Sequence, residues 1–230
     1  MKRPIMAPAS DMADIADLTL DELRLALALQ VAEEAVFDGW GDAALRHAAE
    51  ALGADLDVAR LAFPDGPMDM IAGWIAAIDV QMEAELSADQ LAQMKIRERI
   101  RALVQYRLDA VAGQEEALRR ALAIMAMPQN VAQSMKLGWH SADLMWRKAG
   151  DNSADYNHYT KRTILAGIYA ATLAVFVGDN SEGKAETAAF LDRRIEGVMR
   201  FEKSKAKWFS ADREHFSMAS FLGRLRYPAH

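Results

Sequence analysis

The stretch that decides the fold is Val131–Gly178, which reads VAQSMKLGWHSADLMWRKAGDNSADYNHYTKRTILAGIYAATLAVFVG. Its first part, Val131–Lys148, is rich in apolar residues and has the composition of a helix, and its last part, Thr163–Gly178, runs sixteen residues without a charge. Between them, Gly150–Ser153 contains residue types that end one helix and cap the next. The stretch therefore predicts two helices joined by a turn, with the second helix buried on all sides.

Helical periodicity extends from this stretch to the rest of the chain. Thr19 and Glu22 form a capping-box pattern around the start of an apolar series at Leu20. No part of the sequence shows the two-residue alternation and β-branched enrichment that a sheet needs, so the predicted fold class is all-α. The other predicted helices span Ala43–Leu52, Leu56–Phe63, Met68–Leu86, Lys95–Val111, Gln114–Met127, Ser153–Val177 and Lys184–Ser204.

The composition argues against several kinds of active site. The chain has no cysteine and its five histidines are scattered, so it offers neither a zinc–thiolate site nor an HExxH motif. The turn alternates Asp151, Ser153 and Asp155 as a calcium loop does. However, Tyr156 and Arg162 stand where that loop needs glycine and glutamate. We therefore predict no metal site, no cofactor and no catalytic activity.

Charge is distributed unevenly along the chain. Residues 1–91 hold 5 Lys/Arg and 18 Asp/Glu residues, whereas residues 92–230 hold 22 and 15. The short helix–turn–helix near the start is the plan of TetR-type regulators, so a TetR-type transcriptional regulator is the alternative function. Its second helix, however, carries Asp55 and Asp57 where a DNA-reading helix needs donors or cations. We predict that the protein does not bind nucleic acid.

The two ends of the chain bear on location. Met1–Thr19 has neither the apolar run of a signal peptide nor the basic character of a transit peptide, which predicts a cytoplasmic, bacterial protein. Near the other end, a basic amphipathic helix suits either a membrane interface or docking on the protein's own body or a second subunit, and the residues alone favour docking. One apolar stripe at helical spacing and the two arginines at its end form this segment: Met218, Phe221, Leu222, Leu225, Arg224 and Arg226.

The residues around the turn also resemble a known family. DLMWRKAGDNSADYNHYTKRTILAGIYAATL, residues 143–173, is similar to the signature of the Coq-nine family, the lipid-binding accessory proteins of ubiquinone biosynthesis. The likeness continues through GWGDAALRHAAEALGAD, FPDGPMDMI, KIRERIRALVQYRL, ALAIMAMPQN and FLDRRIEGVM, and it covers roughly Leu20–Met199. One departure is His158, which stands where the family pattern has tryptophan.

The resemblance implies a TetR-regulator-like helical bundle and a non-catalytic protein. Such a protein would present isoprenoid quinone intermediates to the di-iron demethoxyubiquinone hydroxylase, and the iron would belong to that partner. A homodimer and peripheral contact with the inner face of the membrane are also implied. The expected segments are a mobile tail (1–18), a helix-turn-helix-like element (19–66), a helical lipid-binding domain (67–204) and a C-terminal amphipathic membrane-binding segment (205–230).

The family pattern also assigns residues around the turn. Carried over position by position, it implies a partner-binding patch at Met145, Asp155, His158 and Tyr159, while Trp146 and Arg162 are expected to support the turn. Aromatic side chains mixed with charge are typical of a recognition surface. The family further implies that the helices of the middle section enclose a lipid chain, and their many methionines suit ligand-filled space. An ordinary close-packed core is the alternative.

Overall fold

The computed structural model describes residues 15–151 and 156–198, and every regular element in these ranges is a helix. The all-α prediction is therefore confirmed. The α-helices follow in the order α1 Leu20–Asp38, α2 Asp42–Leu52, α3 Leu56–Ala62, α4 Pro67–Glu85, α5 Ala88–Ala92, α6 Ile96–Ala110, α7 Glu115–Met125, α8 Val131–Lys148, α9 Tyr156–Phe176 and α10 at residues 185–198. Short 3-10 helices lie at Ile15–Asp17, Pro128–Asn130 and Glu182–Lys184.

Local signals placed most helix ends correctly. The Thr19 side chain accepts a hydrogen bond from the Glu22 backbone N–H, and the Glu22 carboxylate accepts one from the Thr19 N–H at 2.9 Å, so the predicted capping box is confirmed. Helix α8 has the predicted bounds. Helix α5 was not predicted, because its five residues are too few to show a period, although Ser87 and Gln90 form a capping box at its start.

The first three helices pack into the same core as the rest of the described chain. Helices α2 and α3 meet at Gly53, whose left-handed φ of 68° allows the tight turn. The Trp40 ring lies 5.2 Å from the Trp74 ring of α4, and its Nε1 donates to the Ala117 carbonyl of α7 at 2.9 Å. These contacts fix the helix–turn–helix element against the helices that follow it.

Helices α8 and α9 form an antiparallel pair against α4 and α6. Leu165, Tyr169 and Phe176 are buried on one face of α9. Its opposite face is exposed along a row of small residues, Thr163, Gly167, Ala170 and Ala174. The prediction of a helix buried on all sides was therefore wrong, because short uncharged side chains tolerate water as well as burial. Among the helices in the described ranges, none is long and apolar enough to cross a bilayer.

Candidate functional site

The end of the turn is held by one buried arginine. The Arg162 side chain is 1% exposed, and its Nε donates to Asp143 Oδ1 at 2.5 Å. Its Nη1 donates to Asp151 Oδ2 and to the His158 carbonyl, both at 3.1 Å. Since Asp143 belongs to α8 and Arg162 to α9, this network fastens the two helices together. The predicted supporting role of Arg162 is confirmed.

Trp146 supports the same turn from α8. Its Nε1 donates to the Lys161 carbonyl at 3.0 Å, and the Lys161 ammonium lies 5.4 Å from the centre of the Trp146 ring. That ammonium also donates to Asp151 Oδ1 at 2.6 Å. The supporting role predicted for Trp146 is therefore confirmed as well. Asp151 of the turn pairs with both Lys161 and Arg162. Ser153 lies outside the described residues.

The structure separates the residues of the predicted partner-binding patch. Tyr159 is 62% exposed and His158 is half-buried at the start of α9. Met145 is completely buried in the core, so in this conformation it has no surface for a partner to touch. Asp155 lies outside the described residues. The partner-binding role of the patch stays a prediction, with its accessible part at His158 and Tyr159.

His158 and Tyr159 belong to an aromatic cluster whose third member is Trp139 of α8. The Trp139 and Tyr159 rings are stacked with centres 5.9 Å apart, and the His158 ring packs edge-on against Tyr159 at 5.2 Å. Sequence reasoning missed Trp139. Its position one helical turn after Met135, an apolar residue of the same helix, was the available signal.

A cavity of about 540 Å³ lies between α4, α6, α7, α8 and α9. Val131 and Met135 line it and are also exposed, which places its mouth at the start of α8. Trp139 lines it too, so the aromatic cluster borders the cavity. The other lining residues are predominantly apolar, among them Ile71, Trp74, Ile78, Leu118, Leu122 and Leu173.

Of the methionines expected to suit a ligand, Met125 and Met135 line this space, whereas Met82 and Met145 are core residues.

A second cavity of about 440 Å³ lies on the other side of α9. Ile100 of α6, Trp146 of α8, Ile164 of α9 and Ile195 of α10 contribute to its walls. Gly150, Asp151 and Lys161 also line it, so its rim is the turn described above. The larger cavity is the more enclosed by apolar side chains and is the better candidate for a lipid chain.

The wall of the larger cavity contains one buried charged cluster. Arg107 is 1% exposed and forms an ion pair through Nη1 with Asp79 Oδ1. Its Nη2 donates to Ser141 Oγ at 3.1 Å, and its guanidinium lies 5.0 Å from the centre of the Tyr169 ring. Two buried atoms of this cluster have no hydrogen-bond partner, Arg107 Nε and Asp79 Oδ2.

Sequence reasoning also missed this cluster, although a signal for it existed. Arg107 falls seven residues after Ile100 and three after Val104, on the stripe that α6 buries. A charged residue on an apolar stripe is rarely fully buried unless it is paired. The sequence could therefore have marked Arg107 as special, but it could not name Asp79 as its partner.

Only one group of possible metal ligands occurs in the parts of the chain that the structure describes. Single ligand atoms of Glu34, Asp38 and His47 lie within 4.8 Å of one another on α1 and α2. His47 Nδ1 already pairs with Asp38 Oδ2 at 2.7 Å, and none of the three residues lines either cavity. An exposed His–Asp pair accounts for this proximity, and we assign no metal to it.

The helix–turn–helix element is acidic, and Arg60 is paired with carboxylates. Asp55 caps α3 by accepting hydrogen bonds from the N–H groups of Asp57 and Val58. Arg60 donates to Asp42 at 3.1 Å, and this hydrogen bond lowers the pKa of the Asp42 carboxyl. A phosphate would have to displace these carboxylates to reach Arg60. The local charge therefore supports the prediction that this element does not bind DNA.

Comparison with known proteins places this geometry in a family. The COQ9 family model matches residues 131–202, which begin with α8 and run through α9 and α10. This part of the chain is a COQ9-family domain. It is the family that the residues around the turn resemble, and the COQ9 match contains Arg162, the aromatic cluster and one wall of the cavity.

Curated relatives extend the COQ9 likeness beyond that domain. Over 167 residues the chain is 35% identical to "Ubiquinone biosynthesis protein COQ9, mitochondrial" of Rattus norvegicus. The aligned region covers 70% of this chain and 54% of the rat protein. Identity to the Homo sapiens protein of the same name is 32%, with 70% and 52% covered. The Schizosaccharomyces pombe protein is 29% identical, with 69% and 62% covered. The chain thus spans about half the length of the mammalian COQ9 proteins. Its bacterial, cytoplasmic location stays a prediction.

A solved structure supports the fold independently. The TetR transcriptional regulator from Nitrosomonas europaea aligns with a TM-score of 0.59 and covers 76% of this chain and 96% of its own. Its sequence is 24% identical to this chain, so the match establishes the fold and not the function. The expected TetR-like architecture is therefore confirmed.

Proposed function

We propose that this protein is a non-catalytic accessory protein of ubiquinone biosynthesis that binds an isoprenoid lipid in its larger cavity. The observation that carries the proposal is the cavity itself, about 540 Å³ and predominantly apolar, in a chain similar to ubiquinone biosynthesis proteins. Ligand cavities typically measure about 300–1,000 Å³, whereas an ordinary core contains few voids larger than a water molecule. A cavity of this size and apolar lining therefore supports a ligand-binding role over simple core packing.

The surroundings of the cavity support presentation of the lipid to a partner. Trp139 lines the cavity on one side and stacks on exposed Tyr159 on the other. A protein docked on His158 and Tyr159 would stand against the cavity wall. Following the family resemblance, we propose that this partner is the di-iron demethoxyubiquinone hydroxylase, which would supply the iron and the chemistry.

An accessory role also suits the polar groups beside the cavity. Ser141 is a buried serine there, and the hydrogen bond that it accepts comes from Arg107. A guanidinium cannot take a proton at ordinary pH, so it cannot activate this serine as a nucleophile. We therefore propose binding rather than catalysis at this site.

Membrane contact completes the proposal. The stripe from Met218 to Leu225, with Arg224 and Arg226, lies outside the described residues, and we propose that it brings the cavity to the bilayer surface. Flotation with cardiolipin-containing liposomes tests it. Replacing Phe221 and Leu225 with aspartate should abolish flotation, and unchanged flotation would contradict membrane binding by this segment.

The lipid itself is tested by organic extraction of gently purified protein followed by mass spectrometry. We expect an isoprenoid lipid in an amount comparable to the protein. Extracts without lipid, together with no measurable binding of added decylubiquinone, would contradict the proposal. Sequence-dependent retardation of duplex DNA at submicromolar concentration and about 150 mM salt would instead favour a transcriptional regulator.

A further inference from the structure

We infer that the lipid taken by the larger cavity carries a neutral hydrogen-bond-accepting oxygen, such as a quinone, ketone or ester carbonyl, and that Arg107 Nε–H donates to it. This inference rests on the proposed lipid-binding function and adds the chemical class of the head group. Its basis is the buried polar cluster of Arg107, Asp79, Ser141 and Tyr169 beside an otherwise apolar space.

The first step is the unused donor. A guanidinium has five N–H groups in a rigid plane. Asp79 takes a hydrogen bond from Nη1 and Ser141 takes one from Nη2, while Nε is buried without a partner. Burying a charged donor without an acceptor is unfavourable, so an unused donor on a residue that lines the cavity favours a ligand that supplies the missing oxygen.

The second step is the position of the cluster. Arg107, Ser141 and Tyr169 all line the cavity, and they come from α6, α8 and α9. Helix α4 supplies Asp79 from behind, so four helices fix the guanidinium. An oxygen delivered by a bound lipid would meet a donor whose orientation is already set, and such preorganisation strengthens binding.

The third step is charge. Arg107 is the sole charged residue among the described residues that line this cavity, and Asp79 already pairs with it. A carboxylate or phosphate head group would compete with Asp79 for one cation and would place two negative charges together. A hydrocarbon would leave Nε unpaired. A neutral carbonyl satisfies the donor without disturbing the ion pair.

The test compares three probes with the same number of carbons: dodecyl methyl ketone, myristate and tetradecane. Each competes with a fluorescent fatty-chain probe for the wild type and for the double variant Arg107→Met, Asp79→Leu. The double variant removes both charges, since removing one alone would leave the other buried and unpaired. The probes differ in the free energy of leaving water. This difference cancels when the ratio of ketone to alkane affinity is compared between the two proteins.

We expect this ratio to fall about tenfold or more in the double variant, because a hydrogen bond from a charged group is lost. A matched control is Arg101→Met with Asp192→Leu, an exposed ion pair that lines neither cavity, which should leave the ratio unchanged. Arg107→Lys, which keeps the charge but lacks Nε–H, should also lower the ratio. This variant provides the test if the double variant does not fold.

The outcomes separate the two proposals. If the wild type binds none of the probes, both the lipid-binding function and the head-group inference fail. If it binds ketone and alkane with a ratio that the double variant and Arg107→Lys do not change, lipid binding stands and the Arg107 contact is refuted. If the wild type, relative to the double variant, favours myristate over the ketone, the head group is an anion and the inference of a neutral oxygen is overturned.

Discussion

Two arginines are equally buried in this protein, yet their surroundings differ. The Arg162 and Arg107 side chains are each 1% exposed. Arg162 has two carboxylates and a backbone carbonyl as acceptors, and it joins the ends of α8 and α9. Arg107 has one carboxylate and one hydroxyl as acceptors, its Nε has no hydrogen-bond partner among the described protein groups, and it lines an apolar cavity.

The difference distinguishes structural burial from functional burial. A buried charge that is fully hydrogen-bonded within the protein stabilises one arrangement of the chain and needs nothing further. A buried charge that lines a cavity and keeps an unused donor is unfavourable for stability alone, and such positions are expected where a ligand completes the contacts. On this basis Arg162 maintains the turn, whereas Arg107 is the residue that we propose contacts a ligand.

The largest expected effect is on stability at the turn. Arg162→Leu should lower the free energy of unfolding by about 3–5 kcal/mol, because it leaves Asp143 and Asp151 without their shared cation. Chemical denaturation with circular dichroism measures this loss. The matched control is Arg147→Leu, which removes an exposed partner of the same Asp143 and should cost less than about 1 kcal/mol. Equal losses in the two variants would contradict a special role for Arg162.

A smaller loss of folding stability is expected from removing the buried charge beside the cavity. Arg107→Met alone should destabilise by about 3 kcal/mol, because it leaves a single buried carboxylate, Asp79, unpaired. Adding Asp79→Leu should restore most of that stability, since buried ion pairs are often replaceable by apolar groups of similar volume. Thermal unfolding of the two variants is the measurement. A double variant as unstable as the single one would show that Arg107 is as structural as Arg162.

Asp179, like Arg162, is a buried charge whose hydrogen-bond partners lie within the protein. Its two oxygens accept hydrogen bonds from the side chains and backbone N–H groups of Ser181 and Thr187. These hydrogen bonds, of which the one from the Ser181 hydroxyl has the largest effect, hold the pKa of Asp179 well below its usual value. A lowered folded-state pKa stabilises the protein above the unfolded pKa, and that contribution disappears as pH falls toward the folded pKa.

The stability difference between wild type and Asp179→Asn should therefore be constant above roughly pH 5 and narrow steadily below roughly pH 4. Urea denaturation across this range measures it. A difference that widened as the solution became more acidic would have the wrong sign and would contradict the structural role of these hydrogen bonds.

The smallest stability effect is expected on the exposed side of the aromatic cluster. Tyr159→Ala should change the free energy of unfolding by less than about 1 kcal/mol, because Tyr159 is 62% exposed. It should nevertheless weaken capture of the hydroxylase about tenfold or more in a pull-down titration, as removal of an aromatic anchor does. His158→Trp should strengthen capture if that position is the family's anchor.

Phe37 provides the control for this experiment. It is an exposed aromatic residue of α1, 81% accessible, and it lines neither cavity. Phe37→Ala should leave capture unchanged. If both alanine variants reduce capture equally, or if Tyr159→Ala has no effect, the partner does not dock at the aromatic cluster.

Much of this fold could be predicted from sequence because helix positions are specified locally. The Thr19–Glu22 capping box, the turn at Gly53 and the start of α8 all depend on residues within a few positions of each other. The family signature at residues 143–173 located the turn in the same way. These features need no knowledge of which helices meet.

The candidate site was less predictable because it depends on contacts between distant residues. Asp79 and Arg107 are 28 positions apart and meet only when α4 packs on α6. The burial of Met145 likewise depends on how α8 faces the core, and the family pattern gave its identity but not its orientation. The cavity is the space left when five helices pack together, and no single helix encodes it.

The most direct test of the lipid-binding account fills the cavity from its wall. Gly138 lines the cavity, and a Cβ added there meets nothing within 4 Å, so the side chain of Gly138→Leu begins in open space and should occupy ligand space. Gly167→Leu is the control, because it makes the same change at an open helical position that lines neither cavity. Both should gain helix propensity to a similar extent. In decylubiquinone titrations we predict that Gly138→Leu weakens binding about tenfold or more. Gly167→Leu should bind decylubiquinone as the wild type does. Equal binding by all three proteins would contradict a lipid in this cavity.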